Sequence, residues 1–114
     1  METYKGNILA IDTGSTTTKI GYFRDGVQVF DEKLVHSPEE LGRYANVMDQ
    51  DKLRRDAVTG FLSTKGIDIT EIDIIMARGG LFAPVRTGIY KVNRDMRDVL
   101  LTCRDGTHAC NLSA

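Results

Sequence analysis

A carboxylate, a glycine and a run of hydroxyl side chains follow one another near the start of this 114-residue chain. An unbroken apolar run before the acid is typical of a strand covered on both faces, which would deliver Asp12 to the strand end. Gly14 permits a tight turn or the close approach of a ligand. The segment reads Ile8-Leu9-Ala10-Ile11-Asp12-Thr13-Gly14-Ser15-Thr16-Thr17-Thr18-Lys19.

Such a cluster of hydroxyls and backbone amides beside one fixed acid suits a polyphosphate that is bound with a divalent metal. An ordinary hairpin with a solvated turn would carry the same Asp-Thr-Gly-Ser tetrapeptide. The buried run before Asp12 and the density of hydroxyls after Gly14 favour the phosphate site.

A second buried strand ends in a cation and two glycines. The apolar run over residues 72–77 leads directly into Arg78, Gly79 and Gly80. Ligands of open α/β sheets bind beyond the carboxyl ends of the strands. We therefore expect Asp12 and Arg78 to lie on the same rim of one sheet.

Three strands at the start of the chain would position the first of these motifs. Hydrophobic patterning predicts strands over residues 7–12, 18–24 and 27–35, and Asp25-Gly26 is a hairpin signal between the last two. Three such strands form an antiparallel meander. The strand over residues 72–77 follows a long helical crossover, so we expect it inside the sheet, beside the first strand and parallel to it.

Three helices complete the prediction. Ser37, Pro38 and Glu40 form a capping box, and apolar residues continue at helical spacing to Met48. Asp49 or Asp51 would cap a second helix that stops at Gly66. Residues 88–92 form a short extended piece, and Asn93 caps a third helix that reaches residue 104 and buries Cys103 as a packed thiol.

Composition excludes several classes of protein. The net charge is −1 with 27% charged residues and no basic block, which argues against a nucleic-acid surface. No apolar run approaches the length of a membrane span, and the N-terminus has no signal-peptide pattern. Cys103 and Cys110 match no zinc or redox spacing. These features favour a cytoplasmic protein with reduced thiols.

The order β-β-β-α-β-α, with a phosphate hairpin between the first two strands, resembles the N-terminal lobe of the actin-like ATPases, a ribonuclease H-like fold that also occurs in acetate and sugar kinases. Within that superfamily the motifs are similar to those of the butyrate kinases. They are Ile11-Asp12-Thr13-Gly14-Ser15-Thr16-Thr17-Thr18-Lys19-Ile20, His36-Ser37-Pro38-Glu39-Glu40-Leu41, Arg78-Gly79-Gly80-Leu81 with a proline soon after, Gly88-Ile89-Tyr90-Lys91-Val92-Asn93, and His108-Ala109-Cys110-Asn111-Leu112-Ser113-Ala114.

The resemblance implies phosphorylation of a small carboxylate such as butyrate by ATP and Mg²⁺, giving an acyl phosphate. Asp12 would hold the metal through water, at a position where acetate kinases usually have Asn. Arg78 would bind the carboxylate or the transferring phosphoryl group and act in catalysis with His108. The remaining carry-over assigns the first phosphate loop to Gly14, Ser15, Thr16, Thr17 and Lys19, and the substrate site to Gly79, Gly80 and Asn111.

The two residues of the last motif also have purely structural interpretations. His108 could be a solvated surface histidine, and Asn111 could cap a helix. The chain stops inside what looks like an unfinished element. The resemblance covers about the first third of a butyrate kinase, so we expect residues 1–114 to form an N-terminal lobe whose C-terminal partner lobe lies elsewhere. We also expect the full-length protein to be a homo-oligomer and this piece alone to be inactive.

Three alternatives compete with the kinase. Asp12-Thr13-Gly14-Ser15 is also the signature of homodimeric aspartic proteases, in which two copies of the acid share a proton. Those proteases are nearly all β, whereas residues 38–65 and 94–104 are predicted to be helical. ATPase activators of acyl-CoA dehydratases share the glycine-hydroxyl loop but carry cluster-binding cysteines in another context. Finally, the piece could be a stable lobe without activity.

Overall fold

The computed structural model describes residues 5–78, 88–102, 108 and 112 as a mixed α/β domain. Four strands and three α-helices form in this part of the chain, and the strand periodicity and helix caps expected from the sequence account for most of them. The strands are β1 (Asn7–Thr13), β2 (Thr17–Arg24), β3 (Val27–Val35) and β4 (Ile74–Ala77), and the helices are α1 (Pro38–Leu41), α2 (Asp51–Thr64) and α3 (Arg94–Leu101).

The sheet has the order β3-β2-β1-β4. β1 to β3 form the expected antiparallel meander, and β4 pairs with β1 in the parallel direction, from Ile8 opposite Ile74 to Ile11 opposite Ala77. Both predictions are confirmed. The prediction that the fourth strand lies inside the sheet is wrong for the described residues: β4 is an edge strand, and Ile75 is 53% exposed.

Local turn chemistry fixes the meander. Asp25 and Gly26 have φ angles of 52° and 81°, the pair of positive values that a type I′ hairpin requires. The register of β2 against β3 then shifts between Tyr22 and Phe23, which leaves Val29 as the extra residue of a β-bulge. The Asp-Gly hairpin is thus confirmed.

The helical region after β3 differs from the prediction. The capping box is present, since the Glu40 amide donates to Ser37 Oγ at 3.1 Å and the Ser37 amide donates to Glu40 Oε2 at 3.2 Å. However, α1 ends at Leu41 because Gly42 is its C-cap. Asn46 then caps a short 3₁₀ helix, Val47–Gln50, so apolar helical spacing up to Met48 did not produce one continuous helix. The N-cap of α2 is Gln50, so the prediction that Asp49 or Asp51 caps this helix is wrong.

Gly66 ends α2 as the sequence predicts. Its φ is +71°, and the amides of Gly66 and Ile67 donate to the carbonyls of Ser63 and Leu62 at 3.0 Å, which is the Schellman pattern. An added Cβ would meet no atom within 4 Å at Gly66 or at Gly60. Gly60 inside α2 and Gly66 just after its end therefore differ in backbone conformation and not in the space around them.

Alanine at these two glycines is expected to shift stability in opposite directions. Gly66→Ala should lower the free energy of unfolding by about 1 kcal/mol because an L-residue is strained at positive φ. Gly60→Ala, in the helix interior, should raise it by about 0.5–1 kcal/mol. Urea denaturation followed by circular dichroism measures both, and the same sign for both variants would contradict the assignment.

The core lies on one face of the sheet. Leu9 of β1 and Tyr22 of β2 are packed against Val58 and Leu62 of α2. Side chains alternate along a strand, so Ala10 and Asp12 lie on the other face. The sequence predicts that β1 is covered on both faces; within the described residues only the α2 side is closed, and the other side is a groove of about 430 Å³ lined in part by Ala10, Phe23 and Met76.

The hydroxyl group of Tyr22 is buried in this core without a hydrogen bond from a described residue. The side chain is fully buried, and its hydroxyl has no hydrogen-bond partner among the residues that the structure describes. Tyr22→Phe should therefore raise the free energy of unfolding, by about 1 kcal/mol, since it removes a buried hydroxyl without leaving a cavity. Thermal denaturation checks this, and a lower melting temperature for the variant would contradict it.

The last described elements agree only in part with the sequence. Asn93 caps α3, accepting from the Met96 amide at 2.8 Å, and Leu100 is buried. The helix ends at Leu101, before the predicted residue 104, and residues 88–92 form no strand, with Ile89 82% exposed. The prediction for Cys103 falls outside the described residues. In the described ranges, no helix is long and apolar enough to span a membrane.

Candidate functional site

The carboxyl ends of β1 and β4 bring an acid and a cation together. Arg78 Nη1 lies 3.7 Å from Asp12 Oδ1, and the Arg78 amide donates to the Ile11 carbonyl at 3.0 Å. The Arg78 side chain is 69% exposed and that of Asp12 is 38% exposed, so both are accessible to a ligand. The shared rim predicted from two buried strands is confirmed.

One oxygen of Asp12 has no hydrogen-bond donor among the residues that the structure describes. Oδ1 is buried and accepts no hydrogen bond from any described residue, and its ion pair with Arg78 is too long for one. A buried carboxylate oxygen without a donor is a ready ligand for Mg²⁺ or for water bound to it. Among the described residues, no three His, Cys, Asp or Glu side chains gather at one point.

The turn between β1 and β2, residues 14–17, is tight and open to solvent. The Gly14 amide donates to the Thr17 carbonyl at 2.8 Å, and a Cβ at Gly14 would come within 3.1 Å of Thr17 Oγ1. A side chain at Gly14 would thus be tight against Thr17, and the φ of Gly14 is not positive. Ser15 and Thr16 are exposed, and their amides donate to no described residue. Two amide donors in the turn that follows β1 fit an anion.

Lysines extend the charge of this rim across the sheet. Lys19 is exposed and lies directly opposite Asp12 in the antiparallel register, and Lys33 lies opposite Lys19. Asp12, Lys19 and Arg78 all line the groove on the face away from α2. The groove thus joins an apolar floor to two cations, Lys19 and Arg78, and two carboxylates, Asp12 and Asp31.

A buried polar layer lies beneath the turn, on the α2 side. Arg54 is 3% exposed and donates through Nη2 to the Ser15 carbonyl at 3.0 Å and through Nη1 to the Thr17 carbonyl at 3.0 Å. Its Nε donates to Gln50 Oε1 at 3.1 Å. In the described part of the chain, the buried polar residues are Thr13, Thr18, His36, Gln50 and Arg54.

His36 completes this layer from the end of β3. Its Nε2 lies 2.8 Å from Thr18 Oγ1, which also accepts from Arg54 Nη1 at 3.3 Å. The Thr18 hydroxyl can then donate its proton to Nε2 only if that nitrogen is unprotonated. Burial, and then the charge of Arg54, lower the pKa of His36 below its ordinary value of 6.5, against a smaller opposing effect of Glu40. The layer is built for a neutral imidazole.

Acid should therefore destabilise the fold through His36. The unfolded state takes up the proton near pH 6.5 and the folded state only at lower pH, so the stabilisation is complete above pH 6.5 and is lost as pH falls through the folded pKa. The slope should reach at most about 1.4 kcal/mol per pH unit. Urea denaturation between pH 7.5 and 5 measures it. His36→Asn should flatten the slope in this window, and an unchanged slope would exclude His36 as the cause.

Not every predicted site residue is brought to the rim. Gly79, Gly80 and Asn111 lie outside the described residues. His108 is exposed, and its predicted catalytic role stays a prediction. Sequence reasoning missed Arg54, and gave His36 no role beyond membership of a motif. A signal for Arg54 was available: with Val58 and Leu62 it forms the buried face of α2, where a cation needs partners.

Comparison with known proteins agrees with this architecture. No family model matches the chain. A probable butyrate kinase of Clostridium botulinum (strain Eklund 17B) is 41% identical over 105 residues, which are 92% of this chain and 30% of the relative. In Clostridium acetobutylicum, butyrate kinase 2 is 40% identical over 108 residues (95% of this chain, 30% of the relative), and butyrate kinase 1 is 36% identical over 105 residues (92% and 30%).

The mixed sheet, its hydroxyl-rich hairpin and its packing helices define an α/β lobe of the actin-like ATPase type, as the sequence predicts. Over nearly its whole length, the chain is homologous to the butyrate kinases. It spans about 30% of the length of the curated relatives that it matches. The helices α2 and α3 also do not fit the nearly all-β aspartic protease alternative.

Proposed function

We propose that this chain is the N-terminal lobe of an ATP-dependent kinase for butyrate or a similar short-chain carboxylate. The observation that carries the proposal is the buried Oδ1 of Asp12, which accepts no hydrogen bond from a described residue, lies 3.7 Å from Arg78 Nη1 and stands at the start of a turn with exposed residues. A carboxylate acceptor is already ionised at neutral pH, so the reaction needs no general base. The homology to butyrate kinases supports this substrate class.

Each residue of the rim has a role that follows from its chemistry. The amides of Ser15 and Thr16 and the ammonium group of Lys19 would bind phosphate oxygens, and Asp12 would hold a metal-bound water. Mg²⁺ supplies charge neutralisation at the phosphates when it is bound. Arg78 offers a planar fork of donors to the acceptor carboxylate or the transferred phosphoryl group, where charge develops. Positioning and charge compensation are the main contributions to phosphoryl transfer.

The wider proposal extends beyond the rim of Asp12 and Arg78. Gly79, Gly80, Asn111 and His108 would complete the carboxylate site, and a C-terminal lobe would close the cleft over ATP. A cytoplasmic location and a homo-oligomeric full-length protein belong to the same proposal. Without the second lobe, the chain should give no turnover and no micromolar affinity for ATP.

An NMR titration tests the site in the chain as it stands. Millimolar Mg·ATP is added to ¹⁵N-labelled protein, and Mn²⁺ then replaces Mg²⁺ as a paramagnetic probe. We expect shifts at Ser15, Thr16 and Lys19, and Mn²⁺ broadening centred on Asp12. Asp31→Ala serves as a control, since this exposed carboxylate lines the same groove. Shifts that avoid the turn, or broadening centred on Asp31, would refute the proposed phosphate site.

A full-length assay tests the chemistry. The complete protein should convert butyrate and ATP into an acyl phosphate that hydroxylamine traps as a hydroxamate. Arg78→Met should reduce the yield strongly, whereas Arg55→Met, an exposed arginine on α2, should not. Hydroxamate formation that is equally fast in both variants would exclude Arg78 from the acceptor site.

A further inference from the structure

Arg54 contacts the turn from the side opposite to the proposed ligand. It lies on the buried face of α2, and its guanidinium reaches residues that are distant in sequence, the carbonyls of Ser15 and Thr17. Asp12, Lys19 and Arg78 lie on the other face of the sheet. Arg54 does not line the groove as the described residues form it, but it binds the backbone of the turn that the ligand would meet.

Peptide geometry converts these contacts into an orientation. In a trans peptide, the carbonyl of one residue and the amide of the next point in opposite directions. The Ser15 carbonyl is held on the α2 side by Arg54, so the Thr16 amide points away from α2. The His36 amide, which donates to the Thr16 carbonyl at 2.9 Å, fixes the next peptide. If these carbonyls rotated outwards, they would present negative dipoles to a phosphate.

A core-filling role alone does not explain a buried arginine. Removing a guanidinium from water costs several kcal/mol, and apolar residues of similar size often stabilise a fold equally well or better. In this structure, the planar fork spans two carbonyls of one turn at 3.0 Å each. A fork of fixed geometry can set both carbonyls at once, which a point charge such as lysine does less well.

We propose that Arg54 is the positioning residue of the phosphate turn, holding the carbonyls of Ser15 and Thr17 towards α2 so that the Thr16 amide is displayed to a phosphate. This rests on the proposed function for the nature of the ligand, but the orientation of the turn can be measured without any ligand. His36 and Thr18 support the same layer, through the 2.8 Å contact between Nε2 and Oγ1.

The test compares Arg54→Met, Arg54→Lys and the matched control Arg55→Met, whose native side chain is exposed on the same helix. In the ligand-free chain, ¹⁵N relaxation should show a less ordered Thr16 amide in Arg54→Met, an intermediate effect in Arg54→Lys and none in Arg55→Met. In a Mg·ATP titration, Arg54→Met should weaken the midpoint at Thr16 at least about tenfold, the loss typical of removing an outer supporting partner.

The outcomes separate this proposal from the proposed function. Wild-type protein whose turn ignores Mg·ATP would defeat the phosphate site, while the ligand-free relaxation still decides the role of Arg54. A residue that only stabilised the fold would lower the melting temperature and leave the order of Thr16 and the midpoint unchanged; that result would overturn the proposal. If Arg54→Met does not fold, Arg54→Lys is compared with Arg55→Lys, since both variants keep a cation. The order of the Thr16 amide and the midpoint of the Mg·ATP titration then decide whether Arg54 positions the turn.

Discussion

Replacing Asp12 with alanine is expected to lower kcat/KM of the full-length protein for ATP about 100-fold, the loss typical when a group that holds a metal is removed. The physical reason is that the variant deletes the buried Oδ1, which has no donor of its own within the described residues. The apparent affinity for Mg²⁺ should fall in parallel. Asp12→Asn, which keeps an oxygen ligand but loses the charge, should cost about tenfold. Initial rates measured across a Mg²⁺ titration check both variants.

Stability separates this effect from a folding defect. The ion pair of Asp12 with Arg78 is long and largely exposed, so it should contribute less than about 1 kcal/mol. A buried oxygen without a hydrogen bond costs stability, which offsets the weak ion pair, so Asp12→Ala should unfold at nearly the wild-type urea concentration. Asp31→Ala, on the same face, is the matched control and should keep both activity and Mg²⁺ dependence. Equal losses in the two variants would remove Asp12 from its proposed role.

The features that the sequence predicted correctly depend on few neighbouring residues. Four local signals act within about one turn of the chain, and the structure confirms each of them. They are the hairpin at Asp25-Gly26, the capping box at Ser37, the cap at Asn93 and the helix stop at Gly66. The parallel pairing of β4 followed from the length of the crossover. The rim of Asp12 and Arg78 then followed from where two neighbouring parallel strands end.

The features that could not be predicted from the sequence depend on contacts between distant residues or on competition between local helix signals. Arg54 reaches a carbonyl that is 37 positions away, and its part in the site becomes visible only once α2 is packed against the sheet. Between Gly42 and Gln50, apolar residues at helical spacing compete with a glycine stop and with the Asn46 cap, and the stop and cap prevail. The position of β4 at the edge of the sheet, as the described residues have it, is decided by which strands pair with it, and its own apolar pattern does not encode that.

Leu62→Ala is expected to lower the free energy of unfolding by about 3 kcal/mol, because Leu62 is 2% exposed at the centre of the α2–sheet contact. Ile69→Ala is the control: it removes a comparable apolar side chain that is 56% exposed, and should change stability by less than about 0.5 kcal/mol. Urea denaturation followed by circular dichroism measures both. Comparable losses would mean that the core does not lie between α2 and the sheet.

Leu62→Ala also tests whether the two roles of α2, packing the core and orienting the turn, can be separated. Leu62 and Arg54 share the buried face of the helix, but only Arg54 contacts the turn. At temperatures where Leu62→Ala stays folded, the Thr16 amide should be as ordered as in the wild type, because the contacts of Arg54 do not pass through Leu62. In Arg54→Met, by contrast, the Thr16 amide should be less ordered than in Leu62→Ala when the two variants have lost the same amount of stability. A Thr16 amide that loosens equally in both variants would mean that the turn simply follows global stability.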